Sequence, residues 1–132
     1  STSVMEVGKN GVLTMTGGSI DTTGDLWYGV YAQSGSNVTL DGTTINSTLS
    51  CVSGNGLENG AVVKLTNVDF TSEMVAAVFF PSTESLTVTG GSFTGATGFD
   101  IRAGTVIITG AEITIDLRTQ RVRNGYRRLR PC

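Results

Sequence analysis

The chain has 132 residues, 15% of them charged, with no histidine, two cysteines and a net charge of -2. One domain is the expectation at this length, and without histidine there is neither a Ser-His-Asp or Cys-His system nor an imidazole metal ligand. Eighteen glycines against two prolines suit a turn-rich β protein better than a disordered segment. The longest apolar run, Met74 to Phe80, falls well short of the roughly 18 residues of a membrane helix, and no signal-peptide pattern opens the chain.

In chain order, a short strand with inward Met5 and Val7 is followed by the phrase Leu13 to Ile20, LTMTGGSI. The same pattern, apolar-x-apolar-polar-x-x-x-apolar, returns at Val38 to Ile45, Val63 to Phe70, Leu86 to Phe93 and Val106 to Ile113. A strict alternation of apolar and polar residues predicts a strand with one face buried. Before four of the five phrases stands a weaker strand, with inward pairs Met5/Val7, Val30/Ala32, Val78/Phe80 and Phe99/Ile101; the third repeat is vague there, with Leu57 its best match. Turn clusters at Gly17-Gly18, Asp41-Gly42, Gly90-Gly91 and Thr109-Gly110 provide the residues that tight corners need.

Starting points 25, 25, 23 and 20 residues apart predict a repeat architecture. With β period and no helical segment, the expected fold is all-β, a parallel β-helix of about five coils over residues 1–115. A single coil buries too few side chains to offset the entropy of ordering its backbone, so its stability depends on stacking against its neighbours. Uncapped strand edges at the ends predict a partner at the N-terminal end, end-to-end or edge-strand self-association, or a native context with further coils.

Charge divides the chain. Residues 1–117 hold all eleven acids and three bases, whereas residues 118–132 hold six arginines and no acid. Residues 116–132 therefore read as a separate Arg-rich tail: disordered, capping or non-native. A basic arm could hold nucleic acid or an anionic glycan, but the acidic body gives nucleic acid little support.

The stretches GGSIDTTGDLWYGVYAQSGSNVTLDGTTINS (17–47) and LTVTGGSFTGATGFDIRAG (86–104) resemble the passenger domains of bacterial autotransporters, particularly the pertactin-like group. That resemblance covers about residues 1–115 and implies a right-handed parallel β-helix, extracellular or on the bacterial outer-membrane surface, acting as an adhesin or virulence-type scaffold toward a host cell-surface protein or glycan. No cofactor is implied. The family's terminal membrane β-barrel is missing, there is no Arg-Gly-Asp tripeptide, and complete passengers are several times longer, which suggests a piece of a passenger or a stand-alone relative. Cys51 and Cys132 are unusual for such passengers; Cys51 reads as a small buried thiol and Cys132 as a free terminal one, with a disulfide between them the other option.

Four aromatic residues make the leading binding candidate. Tyr31 and Phe79 fall at equivalent outward positions, with Trp27 and Tyr28 just before Tyr31, and aromatic rings offer large contact area to sugars or proteins. The competing expectation is that the 21–28 loop folds over Phe79 and buries it. Asp69 and Glu112 are the catalytic candidates: aligned repeats put them in one outward column two coils apart, about 9 to 10 Å, near the carboxyl separation of inverting glycosidases. Thr14, Thr16, Thr87 and Thr89 form outward pairs of the kind seen on ice-binding faces, although Thr is also favoured on any exposed strand. No metal site is expected. Gly54 to Gly60 has the glycines of a phosphate loop at the wrong spacing and reads as a corner insertion.

Overall fold

The computed structural model describes residues 2–55 and 60–116. Leu57, the Arg-rich tail from residue 117 onward and Cys132 lie outside the described residues.

Fifteen strands run through the described residues in five coils of three. The first coil holds β1 (Ser3–Val7), β2 (Val12–Thr16) and β3 (Ser19–Asp21), and the second β4 (Tyr28–Ala32), β5 (Asn37–Asp41) and β6 (Thr44–Ser47). The third holds β7 (Val52–Gly54), β8 (Val62–Thr66) and β9 (Asp69–Ser72), and the fourth β10 (Ala76–Phe80), β11 (Ser85–Thr89) and β12 (Ser92–Gly95). The last holds β13 (Thr97–Ile101), β14 (Thr105–Thr109) and β15 (Glu112–Ile115). Equivalent strands of successive coils pair in parallel, giving three five-stranded sheets, β1-β4-β7-β10-β13, β2-β5-β8-β11-β14 and β3-β6-β9-β12-β15. The molecule is a parallel β-solenoid.

Register follows the repeated phrase. Leu13, Val38, Val63, Leu86 and Val106 form one inward column, and Met15, Leu40, Leu65, Val88 and Ile108 the next. Ile20, Ile45, Phe70, Phe93 and Ile113 form a third, across the corner. The interior is thus a set of apolar ladders. Phe70 and Phe93 meet edge to face at 5.5 Å between ring centres, and Phe93 and Phe99 lie 4.6 Å apart.

One corner shows how the coil turns. Gly17, Gly42, Asn67, Gly90 and Gly110 directly follow the paired column Thr16, Asp41, Thr66, Thr89 and Thr109, and all five have φ between 49° and 70°. The left-handed region costs an ordinary L-residue about 1 to 2 kcal/mol, with asparagine the usual substitute for glycine. The second sheet therefore ends at the same place in each coil.

The third coil departs from expectation. Its weaker strand is Val52–Gly54, with Val52 between Val30 and Val78 and with Gly54 opposite Ala32. The strand was obscured because a serine and a glycine leave Val52 as its only large apolar residue. Gly54 is eight residues before Val62, whereas Ala32 is five before Asn37 in the coil that pairs with it, so the connection from the first sheet to the second is three residues longer in the third coil than in the second.

Buried polar groups are satisfied: among the described residues no buried side-chain N or O lacks a hydrogen-bond partner. Ser47 is fully buried, and its hydroxyl has the carbonyls of Leu49, Trp27 and Ser50 at 2.8, 3.1 and 3.2 Å. Thr22 and Thr48 close the adjacent corner, the Thr48 N–H donating to the Thr22 hydroxyl and the Thr48 hydroxyl to the Thr22 carbonyl, each at 3.1 Å. These bonds fix the backbone that leads into Tyr28 and Leu49.

Candidate functional site

The outer face of the first sheet carries the site. Glu6, Tyr31 and Ser53 are paired in one outward column. Phe79 and Asp100 continue it, because Val52 pairs with Val78 and Phe79 with Asp100. Tyr31 and Phe79 are thus equivalent, as expected, but two coils apart, about 9 to 10 Å, with Ser53 between them. Ser53 is buried.

Tyr28 begins β4 and reaches the same face. Its ring meets Tyr31 edge on, 5.8 Å between centres and 60° between planes. With Leu49, Ser50, Val75, Ala76, Phe79 and Asp100 it lines a groove of about 200 Å³. Residues 23–27 before it are exposed, and Phe79 is half-buried. Trp27, 41% exposed, stands beside Tyr28 in the chain; its carbonyl accepts from Thr22 and Ser47, which anchors the backbone and leaves the indole outside.

The loop has its own brace. Asp21 Oδ1 accepts from the Thr23 hydroxyl at 2.6 Å and from the Thr23 N–H at 2.9 Å. Hydrogen bonds to the ionised form favour it, and these two hold the Asp21 carboxyl below its ordinary pKa.

Asp100 and Arg102 complete the groove and escaped the aromatic reading. Arg102 grips Asp100 with two nitrogens, Nε at 2.7 Å and Nη2 at 3.1 Å, and its guanidinium lies 5.5 Å from the centre of the Phe79 ring. The hydrogen bond to Asp100, then its negative charge, raise the Arg102 pKa above the usual arginine value. Cation, carboxylate and aromatic ring thereby meet at one edge of the groove. Aligned repeats do place Asp100 in the Phe79 column, but nothing in the residue types marks the Arg102 contact.

A second, polar recess of about 270 Å³ opens on the other side of Tyr31, lined by Thr2, Ser3, Glu6, Tyr31 and Gln33. There Gln33 Nε2 donates to Glu6 Oε2 at 2.8 Å, and Asn55 Nδ2 donates to Gln33 Oε1 at 3.1 Å. Tyr31 lines this recess, and its ring meets that of Tyr28, which lines the apolar groove.

Asp69 and Glu112 do share a column, with Ser92 between them. All three lie on the outer face of the third sheet, Asp69 and Glu112 are exposed, and the Ser92 hydroxyl donates to Asp69 Oδ1 at 3.1 Å. The threonine columns are aligned and interrupted as read from the repeats: Thr14, Thr39, Lys64, Thr87, Ile107 and, beside them, Thr16, Asp41, Thr66, Thr89, Thr109.

Cys51 is fully buried and free, with the carbonyls of Thr71 and Ile45 at 3.3 and 3.4 Å from its sulfur. Burial pushes its thiol pKa far above the ordinary value. Among the described residues no three of His, Cys, Asp and Glu gather to hold a metal ion, and no helix is long and apolar enough to cross a membrane. The chain matches no protein-family model, no curated protein and no solved structure.

Proposed function

We propose that this β-solenoid is a non-catalytic binding scaffold, displayed outside the cell or on the bacterial surface like the autotransporter passengers its phrasing resembles, and that the first sheet's outer face binds a host glycan or cell-surface protein. The observation that carries the reading is the groove between Tyr28 and Phe79, edged by the Asp100 and Arg102 pair. Pockets for whole small molecules run to about 300 to 1,000 Å³; a groove of about 200 Å³ suits one sugar ring or one side chain of a larger partner. The polar recess beyond Tyr31 supplies hydrogen-bonding groups for the next unit of an extended ligand. Such a row of modest subsites on a stiff sheet fits an adhesin better than a turnover site.

Binding to host cells and to a glycan array is the test. Phe79→Ala and Tyr28→Ala should weaken it about tenfold or more, as loss of an aromatic anchor worth about 1.4 kcal/mol or more does, with circular dichroism unchanged. Trp27→Ala and Tyr31→Ala should have smaller effects. Unchanged binding in both groove variants would remove the proposed surface.

The shared column of Asp69 and Glu112 favours a second reading, polysaccharide cleavage. It predicts glycan turnover that disappears in Asp69→Asn and Glu112→Gln; absence of turnover in the parent chain on acidic and neutral polysaccharides would exclude it.

A further inference from the structure

Tyr31, Ser53 and Phe79 stand on successive coils in the outward column of the first sheet, with Asp100 next. Their sizes alternate. Two half-buried aromatic rings flank a serine that is only 2% exposed. Parallel pairing from β4 through β7 and β10 to β13 fixes the step from coil to coil at about 4.7 to 4.9 Å, so the two rings repeat every second step.

An extended β-1,4-linked pyranose chain has both of these periods. It advances about 5 Å per sugar ring, one strand spacing, and each ring is turned over relative to the last, so alternate rings present the same face. We infer that the first sheet's outer face binds an uncharged β-1,4-linked polysaccharide laid along the solenoid axis, one sugar ring per coil, with alternate rings over Tyr31 and Phe79. This rests on reading that face as the binding surface, and it names the class of ligand.

The chemistry at each step agrees with that occupant. The C–H face of a pyranose is apolar and packs on an aromatic ring, and the groove of about 200 Å³ that Phe79 lines with Tyr28 has room for one such ring. Ser53, small and buried, leaves the turned-over ring nothing to strike. On the next coil Arg102 spends Nε and Nη2 on the two oxygens of Asp100. A guanidinium has five N–H donors and a carboxylate about four lone-pair sites, so the pair still offers both donors and acceptors. Neighbouring sugar hydroxyls, each a donor and an acceptor, match that mixture. The pair also decides the charge of the ligand, because Asp100 at 2.7 Å already balances Arg102. The other bases of residues 1–117 are Lys64, on the second sheet, and Lys9, in the turn after β1 and three coils from Phe79. Among the described residues, then, no spare cation stands beside Phe79 to hold a uronate, a sialate or a sulfate.

Ligand-observed NMR titration of the full chain with cello-, manno- and chito-oligosaccharides of increasing length tests this, with heparin and polygalacturonate as acidic comparisons. Affinity for at least one neutral series should step up about fivefold from disaccharide to trisaccharide, the shortest chain that reaches both rings. It should change less than about twofold between about 0.05 and 0.5 M salt. Tyr31→Ala should remove the step and leave disaccharide binding, held in the Phe79 groove, unchanged; that retained binding also demonstrates that the variant is folded. A neutral series that binds without the step, or a step that persists in Tyr31→Ala, would overturn the alignment along the axis. Binding that depends on Phe79 but is confined to the acidic glycans, or to a host-cell protein, would overturn the ligand class while the surface itself stands. No Phe79-dependent binding to glycan, cell or protein would remove the surface as well.

Discussion

The middle coils and the end coils are written in the same pattern and have different fates. Val38, Leu40 and Ile45 in the second coil are 1, 0 and 0% exposed, whereas Ile108 and Ile113, at the matching positions of the fifth, are 37 and 47% exposed. Inward direction is a property of the strand; burial is a property of the neighbour. In a solenoid the apolar residues of one coil are covered by the coils above and below, so each coil's stability is shared with the next.

The sharpest way to break this comparison is to make one truncation at two heights in one column. Phe93→Ala removes a fully buried ring that touches Phe70 and Phe99 and should cost about 3 to 5 kcal/mol. Ile113→Ala, directly above it, should cost about 1 kcal/mol because half of that side chain is already in water. Urea denaturation of dilute protein measures both, and equal losses would mean that the fifth coil is covered.

The corner column gives a smaller pair of opposite sign. Gly42→Ala keeps its space, since a new Cβ would come no closer than 4.0 Å to the nearest atom, yet holds φ at 70°; it should destabilise by about 1 to 2 kcal/mol. Asn67→Gly, at φ 49° in the same column, should be near neutral or stabilising by a few tenths of a kcal/mol. Equal destabilisation by both would show that the side chain of Asn67, not its backbone, matters at that corner.

Cys51 provides the most specific effect, confined to alkaline pH. Its folded pKa is raised above the ordinary 9.0 by burial, so the neutral thiol contributes stability that is complete below pH 9 and declines as pH rises from there toward the folded value, because only the unfolded chain ionises it. The loss is at most about 1.4 kcal/mol per pH unit. Cys51→Ala should lose this alkaline slope while the parent keeps it, and thiol reagents should modify Cys51 only at the rate of unfolding.

How much of this was legible depended on residue size. The inward pairs Met5/Val7, Val30/Ala32, Val78/Phe80 and Phe99/Ile101 stand out by alternation and hold their registers. β7 was hidden because Val52-Ser53-Gly54 has one large apolar residue, which leaves no alternation to mark it. The equivalence of Tyr31 and Phe79 was visible because a column is a counting problem once the period is known. The turn of Tyr28 toward Phe79 and the reach of Arg102 back over that ring were not, since they depend on side-chain direction at a strand start and strand end, where the period of two no longer applies.

Amide hydrogen exchange in dilute solution tests nearest-neighbour stacking most directly. The account predicts a gradient, with slowest exchange in β5, β8 and β11, and fastest in β1 to β3 and β13 to β15, the outermost strands of the three described sheets. Uniform protection from the first coil to the fifth at the lowest concentration, or stronger protection at the ends than at the centre, would contradict it.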